Sequence, residues 1–175
     1  MIMKPQDILV TIKLLVSGWP GSFAALGRQI GLSASETHAA LRRAQQSGLI
    51  HPLGHQVNKS ALAEFLLHGL KYMFPVRPGP SSRGMPTSYA APPLANEFYH
   101  SPSEDNTIPV WPDPAGNQRG YALKPLFRSV PEAARNDSML YEWLALIDAL
   151  RSGRAREREL AEKIVSERLD YGTNR

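Results

Sequence analysis

Cysteine is absent from all 175 residues, which excludes disulfides and thiolate metal sites and removes any argument for export on that ground. Long apolar runs are also missing: nothing approaches the roughly 20 residues that a membrane-spanning helix needs. The opening stretch MIMKPQDILVTIKLLVSGWPG is apolar, but Asp7 and Lys13 interrupt it and no small-residue cleavage pattern follows. A cytoplasmic chain without a membrane partner is the expectation. Catalytic signatures are lacking too. No G-x-S-x-G, H-E-x-x-H or paired-carboxylate pattern occurs. The stretch DPAGNQRG (113–120) lacks the Gly-Lys-Ser/Thr ending of a phosphate loop and reads as a hairpin turn. His51 and His55 are four apart, but Pro52 and Gly54 forbid a helix that would align them as metal ligands. No enzyme activity, cofactor or metal is expected.

What the chain does have is an uneven charge. The net charge is +4, and residues 1–75 carry seven Lys/Arg against three acids, while the rest is close to balanced. A basic N-terminal region suits a polyanionic partner, although a merely solvated basic surface has the same composition.

Punctuation divides the chain into three regions: 1–75, 76–136 and 137–175. The first alternates helical patterns with glycine turns. Ile8, Ile12, Leu15 and Val16 recur at helical spacing after Pro5, a good first-turn residue. Ser22 caps a second, shorter helix that carries Phe23, Leu26 and Ile30 and ends at Gly31. Ser33-Ala-Ser-Glu36 is a capping box opening a third helix, which runs to Ser47 with Thr37, Ala40, Leu41 and Ala44 inward. Leu49–His51 and His55–Val57 flank Pro52-Leu-Gly and predict a short hairpin. Asn58 then caps a fourth, very apolar helix through Met73.

The order helix, helix, turn, helix, wing, helix resembles the winged helix-turn-helix of bacterial regulators of the MarR and Lrp kinds. Three stretches carry the resemblance: Leu26–Ile30, the turn Gly31-Leu-Ser33, and Leu41-Arg-Arg43 leading to Gly48-Leu-Ile50. The resemblance covers about a third of the chain. It implies that the third helix enters the major groove of double-stranded DNA and reads base edges with its outward N-terminal face. That face would hold Ser33, Ser35, His38, Ala39 and Arg42. Arg42 is the leading candidate for a guanine or phosphate, because its planar fork pairs bidentately with either. Arg43 flanks the face and either joins it or forms an internal ion pair. Arg28 and Lys59 are placed to touch backbone phosphate. Residues 50–57 depart from the family pattern, offering His51 and His55 but no Lys or Arg to probe a minor groove.

Proline governs the second region, with twelve of the chain's fifteen between residues 75 and 131. Long helices are excluded there. Arg77–Tyr99 reads as an extended strap over a neighbouring surface or as a disordered segment. Pro109–Trp111 and Tyr121–Leu123 read as the strands of a hairpin. Ser129-Val-Pro-Glu132 predicts a short capped helix. The third region returns to helical periodicity, with Leu140, Trp143, Leu144, Ile147 and Leu150 on one face, a break at Gly153, and a last helix carrying Leu160, Ile164, Val165 and Leu169. Its Arg/Glu run, 154–159, reads as a salt-bridged solvent face.

The expectation is thus an α+β chain, mainly α with a small β wing: a winged helix domain, a Pro-rich extended segment with a hairpin, and a C-terminal helical hairpin. The apolar stripes of the fourth helix and of the C-terminal helices call for cover, and a homodimer on a palindromic site would supply it. A protein partner, such as the toxin of a toxin–antitoxin pair or another operon neighbour, is the alternative use of the C-terminal half.

Overall fold

Pro5 opens the first helix because the amide it lacks would have had no intrahelical acceptor there. The computed structural model of the protein, which describes residues 1–98 and 107–172, begins with α1 (Pro5–Ser17), α2 (Phe23–Ile30) and α3 (Ala34–Gln46). Local chemistry sets each boundary. Ser22 Oγ accepts from the Ala25 amide to cap α2, and Gly31 closes that helix in the left-handed region at φ 73°. Ser33 and Glu36 form the expected capping box: Ser33 Oγ accepts from the Glu36 amide at 3.1 Å, and the Glu36 carboxylate accepts from the Ser33 amide at 2.8 Å. Gly27 permits α2 and α3 to pack closely, since a Cβ there would strike the Leu32 carbonyl and stand 2.8 Å from the Thr37 hydroxyl.

After α3 the expected hairpin is reduced to one antiparallel bridge, Ile50 to Val57. The His51 amide donates to the Gln56 carbonyl and the Asn58 amide to the Leu49 carbonyl. Pro52 has no amide to give and residues 52–54 turn at once, so no ladder develops. Asn58 Oδ1 accepts from the Ala61 amide and starts α4. This helix runs Lys59–Glu64, passes through a π-helical turn (Phe65–Gly69), and finishes with Leu70–Met73.

The Pro-rich region has more structure than a strap. It forms β1 (Ser81–Pro86), a 3-10 turn (Ser88–Ala90) and the short α5 (Ala95–Phe98), with Thr87, Ser88, Ala91 and Leu94 buried. Tyr99, the far end of the expected strap, lies outside the described residues. The expected hairpin is replaced by a different pairing. β2 (Pro109–Pro112) and β3 (Gln118–Ala122) run parallel, Pro109 beside Tyr121, and each pairs antiparallel with β1, so that three strands close into a ring. β2 and β3 fall on the two stretches read as strands, but their shared antiparallel partner is the proline-flanked β1. Glycine makes so tight a ring possible: a Cβ on Gly84 would collide with the Trp111 carbonyl, and one on Gly120 with that of Ile108.

The chain ends in α6 (Val130–Arg135), α7 (Ser138–Ser152) and α8 (Ala155–Arg168). Ser129 does not cap α6 as its sequence suggests; its hydroxyl donates 2.6 Å to the Ile30 carbonyl at the end of α2. Asp137 caps α7 through the Leu140 amide. Every residue from Trp143 to Leu150 is buried, so α7 is enclosed on all sides instead of showing one apolar face. It packs on α1, α4, α6 and α8. One continuous core contains Ile8, Leu26, Leu41, Leu66, Ile147 and Val165. The apolar stripes that seemed to want a second protein therefore cover one another within the chain. The three regions differ in composition but share this core.

Two charge clusters fasten α7 to its neighbours. Lys13 Nζ donates 2.5 Å to Asp137, joining α1 to the start of α7. Asp148, 1% exposed, accepts from Thr87 Oγ1 at 2.7 Å, Trp111 Nε1 at 2.6 Å and Arg151 Nε at 3.0 Å, which joins α7 to the ring. Arg151 uses its remaining nitrogens on the carbonyls of Phe74 and Lys124. The architecture is α+β, about 55% helical, with eight helices and one three-stranded sheet among the described residues. Among those residues no helix is long and apolar enough to cross a membrane.

Candidate nucleic-acid interface

Helical spacing and capping decide which α3 side chains meet solvent. Thr37, Ala40, Leu41 and Ala44 are buried, and Thr37 also donates back to the Ser33 carbonyl. The opposite side exposes Ser33, Ser35, His38 and Arg42, with Ala39 half-buried between them. The Ser33 and Ser35 hydroxyls lie 3.4 Å apart at the start of the helix. Glu36 shares this end but is held by the capping box. The Ser33 amide, then the Ser33 hydroxyl, and then the nearby charge of Arg128 keep its carboxyl below the usual range.

Arg43 behaves differently from Arg42. Its Nε and Nη2 grip both carboxylate oxygens of Asp7 at 2.7–3.0 Å, and its side chain is only 12% exposed. The flanking cation is thus spent as an internal pair, one of the two roles that its position allowed. Arg42, by contrast, makes no ion pair among the described residues and is exposed. Arg28, in the last turn of α2, and Lys59, at the start of α4, are likewise exposed and form no ion pair among the described residues. Both stand on elements other than α3, so they could contribute only at its flanks. Because Lys13 and Arg43 are neutralised inside, the accessible positive charge of residues 1–75 rests on Lys4, Arg28, Arg42, Lys59 and Lys71.

Sequence reasoning named His38, Phe23 and His55 but missed Trp19, Arg128 and the contacts that join the rings. A row of rings runs His55–Trp19–Phe23–His38: His55 stacks on Trp19 with centroids 3.6 Å apart, Trp19 meets Phe23 edge-on at 5.1 Å, and Phe23 meets His38 at 4.8 Å. It braces the turn after α3 and α3 itself against the α1–α2 connection. These four residues are too scattered along the chain for any local pattern to reveal their contacts. Arg128 was missed because it lies more than eighty positions from α3, yet Ser129 beside it rests on Gly31 and brings it near Glu36. Asp7 did carry a signal, as an acid inside an apolar stripe that must find a buried partner.

Among the described residues, no group of three or more His, Asp or Glu side chains is gathered for a metal ion. No known family model, curated protein or solved structure matches the chain.

Proposed function

We propose that the protein binds double-stranded DNA sequence-specifically, as a transcriptional regulator of the winged helix-turn-helix kind, and reads the major groove with α3. The observation that carries this reading is the exposed Arg42, which has no ion pair among the described residues, beside Ser33, Ser35 and His38 on a helix anchored from beneath by Arg43 and Asp7. A guanidinium on a rigid helix can pair bidentately with guanine. The bridge at Ile50–Val57 carries no cation, so the flanks fall to Arg28 and Lys59 on backbone phosphate. Homodimerisation belongs to the proposal on grounds of symmetry, since two copies on a palindrome double the phosphate contacts. The apolar stripes are occupied within the chain and add nothing to that case, nor to an antitoxin-like use of the C-terminal half.

The test is selection of bound duplexes from a random library, followed by fluorescence anisotropy on the enriched sequence. A dimer neutralising ~6–10 phosphates loses about 10³–10⁵ in affinity between roughly 50 and 200 mM salt. No enrichment, or binding indifferent to salt, would overturn the reading.

A further inference from the structure

A groove of about 810 Å³ lies between the start of α1, the end of α4 and the segment after β3. Its size matches that of small-molecule sites. Phe74 and Phe127 give it apolar walls, and Gln6 lines it from α1. The charged side chains that line it are Lys124, Arg128 and Arg151, and no acid among the described residues does. Arg151 is already paired with Asp148 and hydrogen-bonded to two carbonyls, whereas Lys124 and Arg128 are exposed and form no ion pair among the described residues. The Arg128 guanidinium lies 5.1 Å from the centre of the Phe127 ring, so one cation sits directly on an apolar wall. An occupant must therefore offer an apolar body and a negative end.

The position of the walls adds a second argument. Gln6 precedes Asp7, which holds Arg43 of α3, and Arg128 precedes Ser129, which holds the end of α2. Two lining residues, Gln6 and Arg128, are thus each one position from a tether to the α2–α3 unit. We propose that the groove binds a small organic anion with an apolar body, and that occupancy is coupled through these two tethers to α3. Only the consequence for DNA affinity rests on the function proposed above; binding and coupling do not.

The probe is anilinonaphthalene sulfonate, an anionic aromatic dye, titrated into the full-length chain, with the neutral dye Nile red as control. One saturable sulfonate site per chain is expected. Its affinity should fall about tenfold in the Lys124→Gln/Arg128→Gln double variant, which circular dichroism must show to be folded, while Nile red binding is unchanged. Multiple weak sites, no binding, or equal affinity in the variant overturns the site. Hydrogen exchange of the 33–46 amides with and without the dye tests the coupling: altered protection supports it, and unchanged protection overturns it. DNA anisotropy at saturating dye is then a separate measurement, and failure of the chain to bind any DNA sinks the functional reading while leaving these results standing.

Discussion

Asp7 and Arg43 meet across α1 and α3, thirty-six positions apart, with the carboxylate fully buried and both of its oxygens held by the guanidinium. Neighbouring arginines on one helix thus have opposite fates, and they can be separated by experiment. Removing one member of a buried pair leaves an uncompensated charge, so Arg43→Ala and Asp7→Ala should each cost about 3–5 kcal/mol in urea unfolding. Arg42→Ala should leave the urea midpoint unchanged. Equal stability of the two arginine variants would refute the assignment.

Binding should separate the same residues. Arg42→Ala is expected to lose roughly 1–3 kcal/mol on the preferred sequence and to relax preference at one base position per half-site. Lys59→Ala should weaken every duplex by about the same factor. A sequence-blind loss for both would reduce Arg42 to a phosphate contact.

Acid stability follows from two carboxylates. Burial works to raise Asp137, but the hydrogen bond from Lys13 and the Leu140 amide outweigh it, so its carboxyl titrates below the ordinary value of 3.8. Glu36 is likewise held below 4.5 by Ser33. A carboxylate depressed by folding contributes stability that is complete above its unfolded value and lost as pH falls through the lower folded one. Urea midpoints should hold steady down to about pH 5 and decline below it. Asp137→Asn should flatten that decline; a variant with the wild-type profile would show that Lys13–Asp137 is not its source.

Deletion of residues 137–175 should unfold the whole protein. A separable C-terminal dimerisation element is what the sequence suggests, but α7 is the central pillar of the single core, and its loss would uncover α1, α4 and α6 together. Circular dichroism of the truncated chain checks this, and a folded product with an undiminished melting transition would contradict it.

Short-range chemistry is what the sequence made legible. Ser22, Ser33, Glu36 and Asn58 cap their helices as read, and Gly31 and Gly153 end theirs, because a cap depends on residues a few positions away. Partner choice over long separations was not legible. β2 and β3 flank a turn-like stretch as strands of a hairpin would, and nothing local reveals that β1 intervenes. Ser129 has the look of a cap and instead serves Ile30, ninety-nine positions away. For the site, the exposed face of α3 came directly from periodicity, while the bracing rings and Arg128 emerged only with the tertiary fold.

Because β1, β2 and β3 each pair with both of the others, no strand of the sheet among the described residues lacks a neighbour on either side. An extended peptide cannot lengthen it by strand addition, and two copies cannot merge by joining sheets, the usual hazard of unprotected strands. These three strands are therefore guarded against amyloid-like growth by closure as well as by proline. Any macromolecule that engages the ring must do so through side chains, and substitutions on its outer surface, not in its main-chain pairing, would control that contact.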